Sequence, residues 1–175
     1  MVNGAMSLPT EKITENNITM QPSPPMTDYS YVDDFGELYS DDFVFETSLK
    51  NDYNLGSGVC QLSQVFLLCE ETAIWIPLCV KGCVSDVDLN FTNFYTSGKK
   101  EDLSAFGVDF SNYVKLRIES KNGKAVISIN GKPAYTITHD VGRTKIVGFL
   151  YRFSGTGSVD YVRLGNGKVN YDEEF

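Results

Sequence analysis

The stretch that decides the fold is residues 113–140, YVKLRIESKNGKAVISINGKPAYTITHD. It contains two Asn-Gly pairs, at 122–123 and 130–131, and each lies between segments rich in β-branched residues. An Asn-Gly pair in this setting is the strongest short-range signal for a β-hairpin, because both residues accept the positive φ angles of a type I′ turn. The stretch therefore predicts three consecutive antiparallel strands.

The register of the first hairpin follows from a two-residue loop at Asn122-Gly123. Such a loop places Ile118 opposite Ile127 and Leu116 opposite Ile129, so that both aliphatic pairs share one face. Each cross-strand pair of this kind contributes ~0.2–1 kcal/mol. We therefore expect one well-defined register with a half-buried face.

The second turn is predicted to be less regular. A two-residue loop at Asn130-Gly131 would place Pro133 in the ladder, where proline has no N–H to donate. We therefore expect a longer loop or a bulge through Lys132-Pro133. A bulge would also decide whether Tyr135 and Ile137 face the same side of the sheet as Ile127.

The rest of the sequence extends the same pattern. The 175 residues include 13% aromatic residues and 15 glycines, a mixture that favours strands and tight turns. About ten segments show strand-like patterning, at spacings typical of sandwiches and jelly rolls. We predict an all-β, two-sheet antiparallel sandwich over residues 31–175, preceded by a flexible linker or arm rich in Pro, Thr and Asn over residues 1–30.

Charge and hydropathy exclude several partners. The net charge of −8 is opposite to the basic footprint that a nucleic-acid backbone requires, and it disfavours attachment to an anionic membrane by charge alone. No apolar run approaches the ~20 residues that span a bilayer, and the N-terminus lacks the plan of a signal peptide. We expect no nucleic-acid partner and no membrane insertion by this chain itself, which is compatible with an anchor upstream in a longer protein.

The cysteines bear on the compartment. Their spacing does not match a zinc site, and the only histidine, His139, is distant in sequence. A tight hairpin centred on Glu71-Thr72 would place Cys60 opposite Cys83, within the Cα separation that a disulfide permits. That disulfide would indicate an oxidising compartment. The alternative is that all four cysteines, at positions 60, 69, 79 and 83, are buried thiols. No metal site and no cofactor is predicted.

One acidic pair suggests chemistry. Asp86 and Asp88 are two residues apart on an expected strand, so their carboxylates would project from one face about 6.6 Å apart. This distance is near that of the paired acids in glycoside hydrolysis, and it would also suit a calcium ion. The commoner explanation of such a pair is a polar strand edge. No Ser or Cys nucleophile motif accompanies it.

An exposed aromatic face is the candidate binding site. Trp75 is the only tryptophan, and tyrosines and arginines on neighbouring strands could join it on one sheet face. Aromatic rings with polar handles are how a β-sandwich would stack a sugar ring or grip a peptide. Core packing is the alternative explanation for each aromatic residue. The predicted ligand-binding residues are Trp75, Tyr113, Tyr151, Arg117 and Arg152.

Two segments resemble a known family. Residues 113–134, YVKLRIESKNGKAVISINGKPA, and residues 146–164, IVGFLYRFSGTGSVDYVRL, are similar to concanavalin A-like (laminin-G-like) jelly rolls. Acidic-aromatic segments at 33–35 and 172–175 resemble the same group. More narrowly, residues 82–91 and 98–120 resemble the C-terminal module of membrane-anchored bacterial surface proteins that carry a PKD domain. The resemblance covers about residues 31–175.

The resemblance implies a jelly-roll fold and a location outside the cytoplasm, at the cell surface or in the periplasm. The family includes lectins, adhesion modules and glucanases. Its glucanases carry a Glu-x-Asp-x-(x)-Glu strand, and the sequence contains no such motif. We therefore expect a non-catalytic module that binds carbohydrate or a protein partner. The alternatives are a glycoside-active enzyme that uses Asp86 and Asp88, and a structural spacer without a ligand.

Overall fold

The computed structural model describes residues 26–52 and 62–175, together with the backbone of three short strands nearer the N-terminus. The described residues form sixteen strands. Their bounds are β1 Val2–Gly4, β2 Ile13–Glu15, β3 Ile18–Met20, β4 Met26–Val32, β5 Phe43–Asn51, β6 Leu62–Cys69, β7 Ala73–Val80, β8 Asp88–Phe91, β9 Phe94–Ser97, β10 Gly107–Val108, β11 Val114–Lys121, β12 Lys124–Ile129, β13 Lys132–Ile137, β14 Ile146–Ser154, β15 Gly157–Gly165 and β16 Asn170–Glu174.

Two sheets make up the fold. The larger sheet has eight strands in the order β1-β4-β14-β6-β7-β8-β9, with β10 added in parallel beside β7. The smaller sheet has six strands in the order β13-β12-β11-β5-β15-β16, and β2 pairs with β3 separately. Single-turn 3-10 helices are formed by Val84–Asp86 and Ser104–Phe106. The predicted all-β sandwich is confirmed.

The predicted first hairpin is confirmed residue by residue. Lys121 pairs with Lys124, Ile118 with Ile127 and Leu116 with Ile129. Asn122 and Gly123 both have positive φ angles, 52° and 72°, as a type I′ turn requires. The Asn-Gly signal therefore set the register of β11 and β12.

The second turn is tighter than predicted, and its irregularity lies one residue further on. Ile129 pairs with Lys132 across a two-residue turn, and Ser128 pairs with Pro133 before the register shifts. Pro133 is tolerated because β13 is an edge strand, whose outer N–H groups need no partner strand. The bulge turns Tyr135 and Ile137 toward the same side as Ile127, and Ile137 is buried.

The core lies between the two sheets, and strand alternation fills it. In β14 the aromatic residues Phe149, Tyr151 and Phe153 point inward and are buried, whereas Leu150 and Arg152 point outward and are half-buried. In the smaller sheet, Phe45 and Leu164 are among the residues that meet them from the other side. The core is continuous across both sheets.

Two predicted boundaries differ from the structure. The strand β4 begins at Met26, so the predicted linker–domain boundary at residue 30 falls inside a strand of the larger sheet. The strand expected to carry both Asp86 and Asp88 begins only at Asp88, because Asp86 ends a 3-10 turn that is followed by the hairpin β8–β9. Thr92 lies in this hairpin turn with a φ of 55°, a left-handed conformation that the sequence pattern did not indicate.

No helix in the described part of the chain has the length and apolar character needed to cross a bilayer.

Candidate functional site

A row of side chains crosses the outer face of the larger sheet. Successive pairs across the strands are Leu150 with Phe66, Phe66 with Trp75, Trp75 with Asn90, and Asn90 with Tyr95. We call Phe66, Trp75 and Tyr95 the aromatic row. It spans three inter-strand spacings, about 14 Å, at right angles to the strands. A flat ligand of several rings could lie along it.

Strand alternation explains why these aromatic residues face outward. In β6 and β7 the buried positions are mainly aliphatic, including Val65, Leu67 and Ile74, and the intervening Phe66 and Trp75 are half-buried. Both faces of these strands are therefore apolar. The inner face of this sheet already packs in the core. The apolar residues on its outer face are therefore available for contact with a ligand.

The rings of the aromatic row are partly accessible. The Phe66 and Trp75 ring centroids are 6.1 Å apart with the planes tilted by 48°. Tyr95, at the edge strand β9, is 50% exposed. Its hydroxyl donates a hydrogen bond to Asp88 Oδ1 over 2.8 Å, and this bond raises the pKa of Tyr95. The Lys100 ammonium lies 5.5 Å from the centre of the same ring.

A polar row lies beside the aromatic row. Asp28, Arg152 and Gln64 are successive cross-strand partners on β4, β14 and β6. Arg152 donates two hydrogen bonds to Asp28, of 2.9 and 2.8 Å, and these bonds raise the pKa of the guanidinium. The same guanidinium carbon lies 5.7 Å from the centre of the Phe66 ring. The pair is therefore held at the margin of the aromatic row.

This arrangement suits a ligand with an apolar face and polar edges. Aromatic rings stack against a flat apolar surface, and their π faces attract the slightly positive hydrogens of C–H bonds. Fixed donors and acceptors beside the rings orient the ligand and discriminate among its hydroxyl groups. A pyranose ring has both features. The Arg152–Asp28 pair is neutral overall.

Only two of the five predicted ligand-binding residues meet in this site. Trp75 and Arg152 flank Phe66 on the outer face of the larger sheet. The prediction for Tyr151 is wrong as to exposure, because the side chain is 0% exposed between the sheets. Its hydroxyl lies 2.6 Å from Thr47 Oγ1, and desolvation raises its pKa.

The other two predicted residues lie elsewhere. Arg117 is on the outer face of the smaller sheet, where it donates to Glu46 over 3.1 Å and to Glu119 over 3.2 Å. Arg163 approaches Glu46 from the other side, at 3.5 Å. Burial opposes ionisation of Glu46, but hydrogen bonds from Tyr161 and Arg117 outweigh it and lower its pKa. Tyr113 lies at the end of the sandwich, beside the β12–β13 turn, and is 48% exposed.

The predicted acid pair, Asp86 and Asp88, does not lie on one strand. Asp86 ends a 3-10 turn and Asp88 is the first residue of β8, so the two do not alternate on one strand. Asp88 accepts the hydrogen bond from Tyr95. Within the described residues, no group of three or more His, Cys, Asp or Glu side chains could hold a metal ion.

The predicted disulfide involves Cys60, which lies outside the described residues, so the Cys60–Cys83 pairing stays a prediction. The register on which it was based is wrong. The β6–β7 turn is Glu70-Glu71, not Glu71-Thr72, because Cys69 N donates to Thr72 O. Leu62 therefore pairs with Cys79, two positions from the predicted partner. Cys69 and Cys79 are free thiols, and burial raises their pKa values to about 12 and about 11.

Sequence reasoning missed Phe66, Gln64 and Asp28. The signal for Phe66 is its alternation with Val65 and Leu67 in β6, which directs it to the opposite face of the strand. Asp28 falls within the predicted linker. Its partner Arg152 lies 124 residues later, so no local sequence signal indicates the pair.

Comparison with known proteins bears on the fold. No protein-family model and no curated protein sequence matches this chain. Among similar solved structures is one from work on prominent members of the human gut microbiota that express endo-acting O-glycanases to initiate mucin breakdown. It has a TM-score of 0.53 and 9% identity, over 89% of this chain and 77% of that chain.

Two further similar structures are binding proteins by their descriptions. The carbohydrate-binding module CBM66 from Bacillus subtilis has a TM-score of 0.44 and 9% identity, over 86% of this chain and 88% of that chain. Sheep galectin-11 has a TM-score of 0.41 and 9% identity, over 82% of this chain and 98% of that chain. At these identities the likeness bears on the fold alone. The chain itself is a two-sheet β-sandwich of the jelly-roll type by its own strand arrangement.

Proposed function

We propose that this chain is a non-catalytic carbohydrate-binding module that acts outside the cytoplasm, and that the glycan lies along the aromatic row. One observation carries the proposal. Phe66, Trp75 and Tyr95 line up across the outer face of the larger sheet, and the Arg152–Asp28 pair is fixed beside them. Stacking surfaces bordered by oriented polar groups are what sugar rings require.

The contacts assign roles to the residues. Phe66 and Trp75 supply adjacent stacking surfaces, and Tyr95 supplies a third at the sheet edge. Arg152 uses Nε and Nη2 for Asp28, and among the described residues no partner engages its Nη1. That nitrogen and the Gln64 amide are available to bond hydroxyl groups. Mucin-type O-glycans are the first glycans to test, because one structure of similar architecture comes from work on mucin breakdown by the gut microbiota.

A protein ligand at the same face is the second candidate. Val32 is 67% exposed, and Leu68 and Ala73 continue the apolar surface beyond the aromatic row. Exposed aliphatic side chains contribute nothing specific to a sugar ring, but they are typical of protein interfaces.

A glycan array separates these functions. We expect the wild-type protein to bind a defined set of glycans, and Trp75→Ala to lose that binding. Phe175→Ala is the matched control, because Phe175 is an exposed aromatic residue away from the row. The proposal would be overturned if the wild-type protein bound no glycan, or if Trp75→Ala bound the same glycans as strongly as the wild-type protein. Detection of hydrolysed products that Asp88→Asn abolishes would favour an enzyme instead.

A further inference from the structure

A groove separate from the aromatic row lies at one end of the sandwich. Its volume is about 450 Å³. One wall comes from the larger sheet, where β10 pairs with the end of β7 near Lys81. The other wall comes from the β12–β13 hairpin of the smaller sheet, with Lys132 and Pro133 at the start of β13, and from Tyr113, which directly precedes β11. We call this the end groove.

The backbone around the end groove is held in place. Asn130 donates its N–H to Lys115 O over 2.8 Å, and its side-chain Oδ1 accepts from Lys115 N over 2.9 Å. These two bonds tie the β12–β13 turn to the first residues of β11, and so fix Lys132 relative to Tyr113. On the opposite wall, Asp109 Oδ1 accepts from Ser111 N over 2.9 Å and fixes that loop.

The lining of the end groove is positive in an acidic protein. Ion pairs among the described residues engage Lys50, Lys145 and four arginines, and neither Lys81 nor Lys132 takes part in one. The lining holds one carboxylate, Asp109, whose hydrogen bonds with Ser111 lower its pKa, with a smaller contribution from the charge of Lys81. Two cations against one anion leave a net positive site.

The apolar part of the lining complements these charges. Tyr113 is 48% exposed, and Pro133 is also exposed. A tyrosine ring and a proline ring offer flat apolar surfaces at low conformational cost. The Asn112 side chain adds a donor and an acceptor within the same lining.

From this combination we infer that the end groove binds a carboxylate-bearing sugar, a uronic acid, with the carboxylate between Lys81 and Lys132 and the ring against Tyr113. The volume admits one or two sugar rings. The site uses no residue of the aromatic row. It therefore stands or fails independently of the proposed function.

The test is a heteronuclear NMR titration of the full chain with D-glucuronate, with D-glucose as the neutral match and acetate as the carboxylate without a ring. We expect glucuronate to shift the amide signals of residues 107–113 and 130–134, and glucose to leave them unchanged. Lys81→Gln and Lys132→Gln should each weaken binding about two- to fivefold, and higher salt should weaken it further. Tyr113→Ala should also weaken it, whereas Lys124→Gln, an exposed lysine outside the groove, should not.

Three outcomes would overturn the inference. The first is equal binding of glucuronate and glucose, and the second is equal binding of acetate and glucuronate. The third is glucuronate binding that Trp75→Ala abolishes and the lysine variants leave intact, which would assign the ligand to the aromatic row. If the wild-type protein binds no glycan on the array but still binds glucuronate in the end groove, the proposed glycan site on the aromatic row is overturned and the end-groove inference is not.

Discussion

Arg152 is held to Asp28 by two parallel hydrogen bonds, from Nε to Oδ1 over 2.9 Å and from Nη2 to Oδ2 over 2.8 Å. The two residues are also direct cross-strand partners on β14 and β4. A bidentate pair fixes the plane of the guanidinium. A lysine ammonium at the same position has no plane and could not be oriented in this way. Its position beside Phe66 therefore depends on Asp28.

Asp28→Asn should weaken glycan binding because it releases Arg152 from this geometry. We expect the affinity to fall about three- to tenfold, since hydrogen bonds to charged groups contribute ~1 kcal/mol or more. Both side chains are more than a third exposed, so the free energy of unfolding should change by less than about 1 kcal/mol. Isothermal titration calorimetry measures the affinity. Glu119→Gln removes a comparable partner from Arg117 on the other sheet, and an equal loss in that control would contradict the assignment.

Tyr151→Phe should reduce stability and leave ligand binding unchanged. Thr47 Oγ1 donates its one hydrogen to Tyr161 O over 2.7 Å, so the Tyr151 hydroxyl must donate to Thr47 Oγ1. Removal of that buried donor should cost about 1–1.5 kcal/mol in the free energy of unfolding, measured by urea denaturation. Tyr113→Phe, at an exposed position, should change it by less than about 0.5 kcal/mol. Reduced glycan affinity for Tyr151→Phe in the folded protein would argue against the core position.

The two Asn-Gly turns provide a matched pair of substitutions. Gly123 and Gly131 have similar φ angles, 72° and 78°. A Cβ at 123 would lie 2.8 Å from Asp140 Oδ1, whereas nothing lies within 4 Å of a Cβ at 131. Gly131→Ala should therefore cost about 1 kcal/mol from backbone strain alone, and Gly123→Ala should cost more. Thermal and urea denaturation measure both. Equal costs would mean that Asp140 does not pack against the first turn.

Thiol counting tests the predicted Cys60–Cys83 disulfide. Cys69 and Cys79 are free, and their raised pKa values leave almost no thiolate at pH 8, so both should react slowly in the native protein. After denaturation without reductant, we expect two reactive thiols. A count of four would eliminate the disulfide and, with it, one reason for placing the protein in an oxidising compartment.

Local sequence signals predicted the hairpins and the fold class. Asn122-Gly123 fixed both the turn and the register because the type I′ geometry leaves no alternative pairing. The β6–β7 register was misjudged because Glu70, Glu71 and Thr72 offer no turn signal of comparable strength, and the loop moved by one residue. Where turn chemistry was weak, the pairing was not predictable.

The site was less predictable than the fold because it depends on strand order. The strand β14 lies between β4 and β6, which precede it by about a hundred residues, and no local signal indicates these neighbours. Strand alternation predicts that Tyr151 and Arg152 lie on opposite faces of β14. It does not say which face is the core, because both faces of this strand carry apolar residues. Trp75 and Arg152 both lie on the outer face, and Phe66, which carries no separate signal in the sequence, lies between them.

Trp75 makes the central claim directly measurable. It is the only tryptophan in the sequence, so its fluorescence reports on the aromatic row alone. When a glycan selected on the array is titrated in, we predict a saturable shift in tryptophan emission and reduced quenching by acrylamide, with the same dissociation constant as calorimetry. Calorimetric binding of the glycan with unchanged Trp75 emission and quenching would contradict the account, because the glycan would then lie away from the aromatic row.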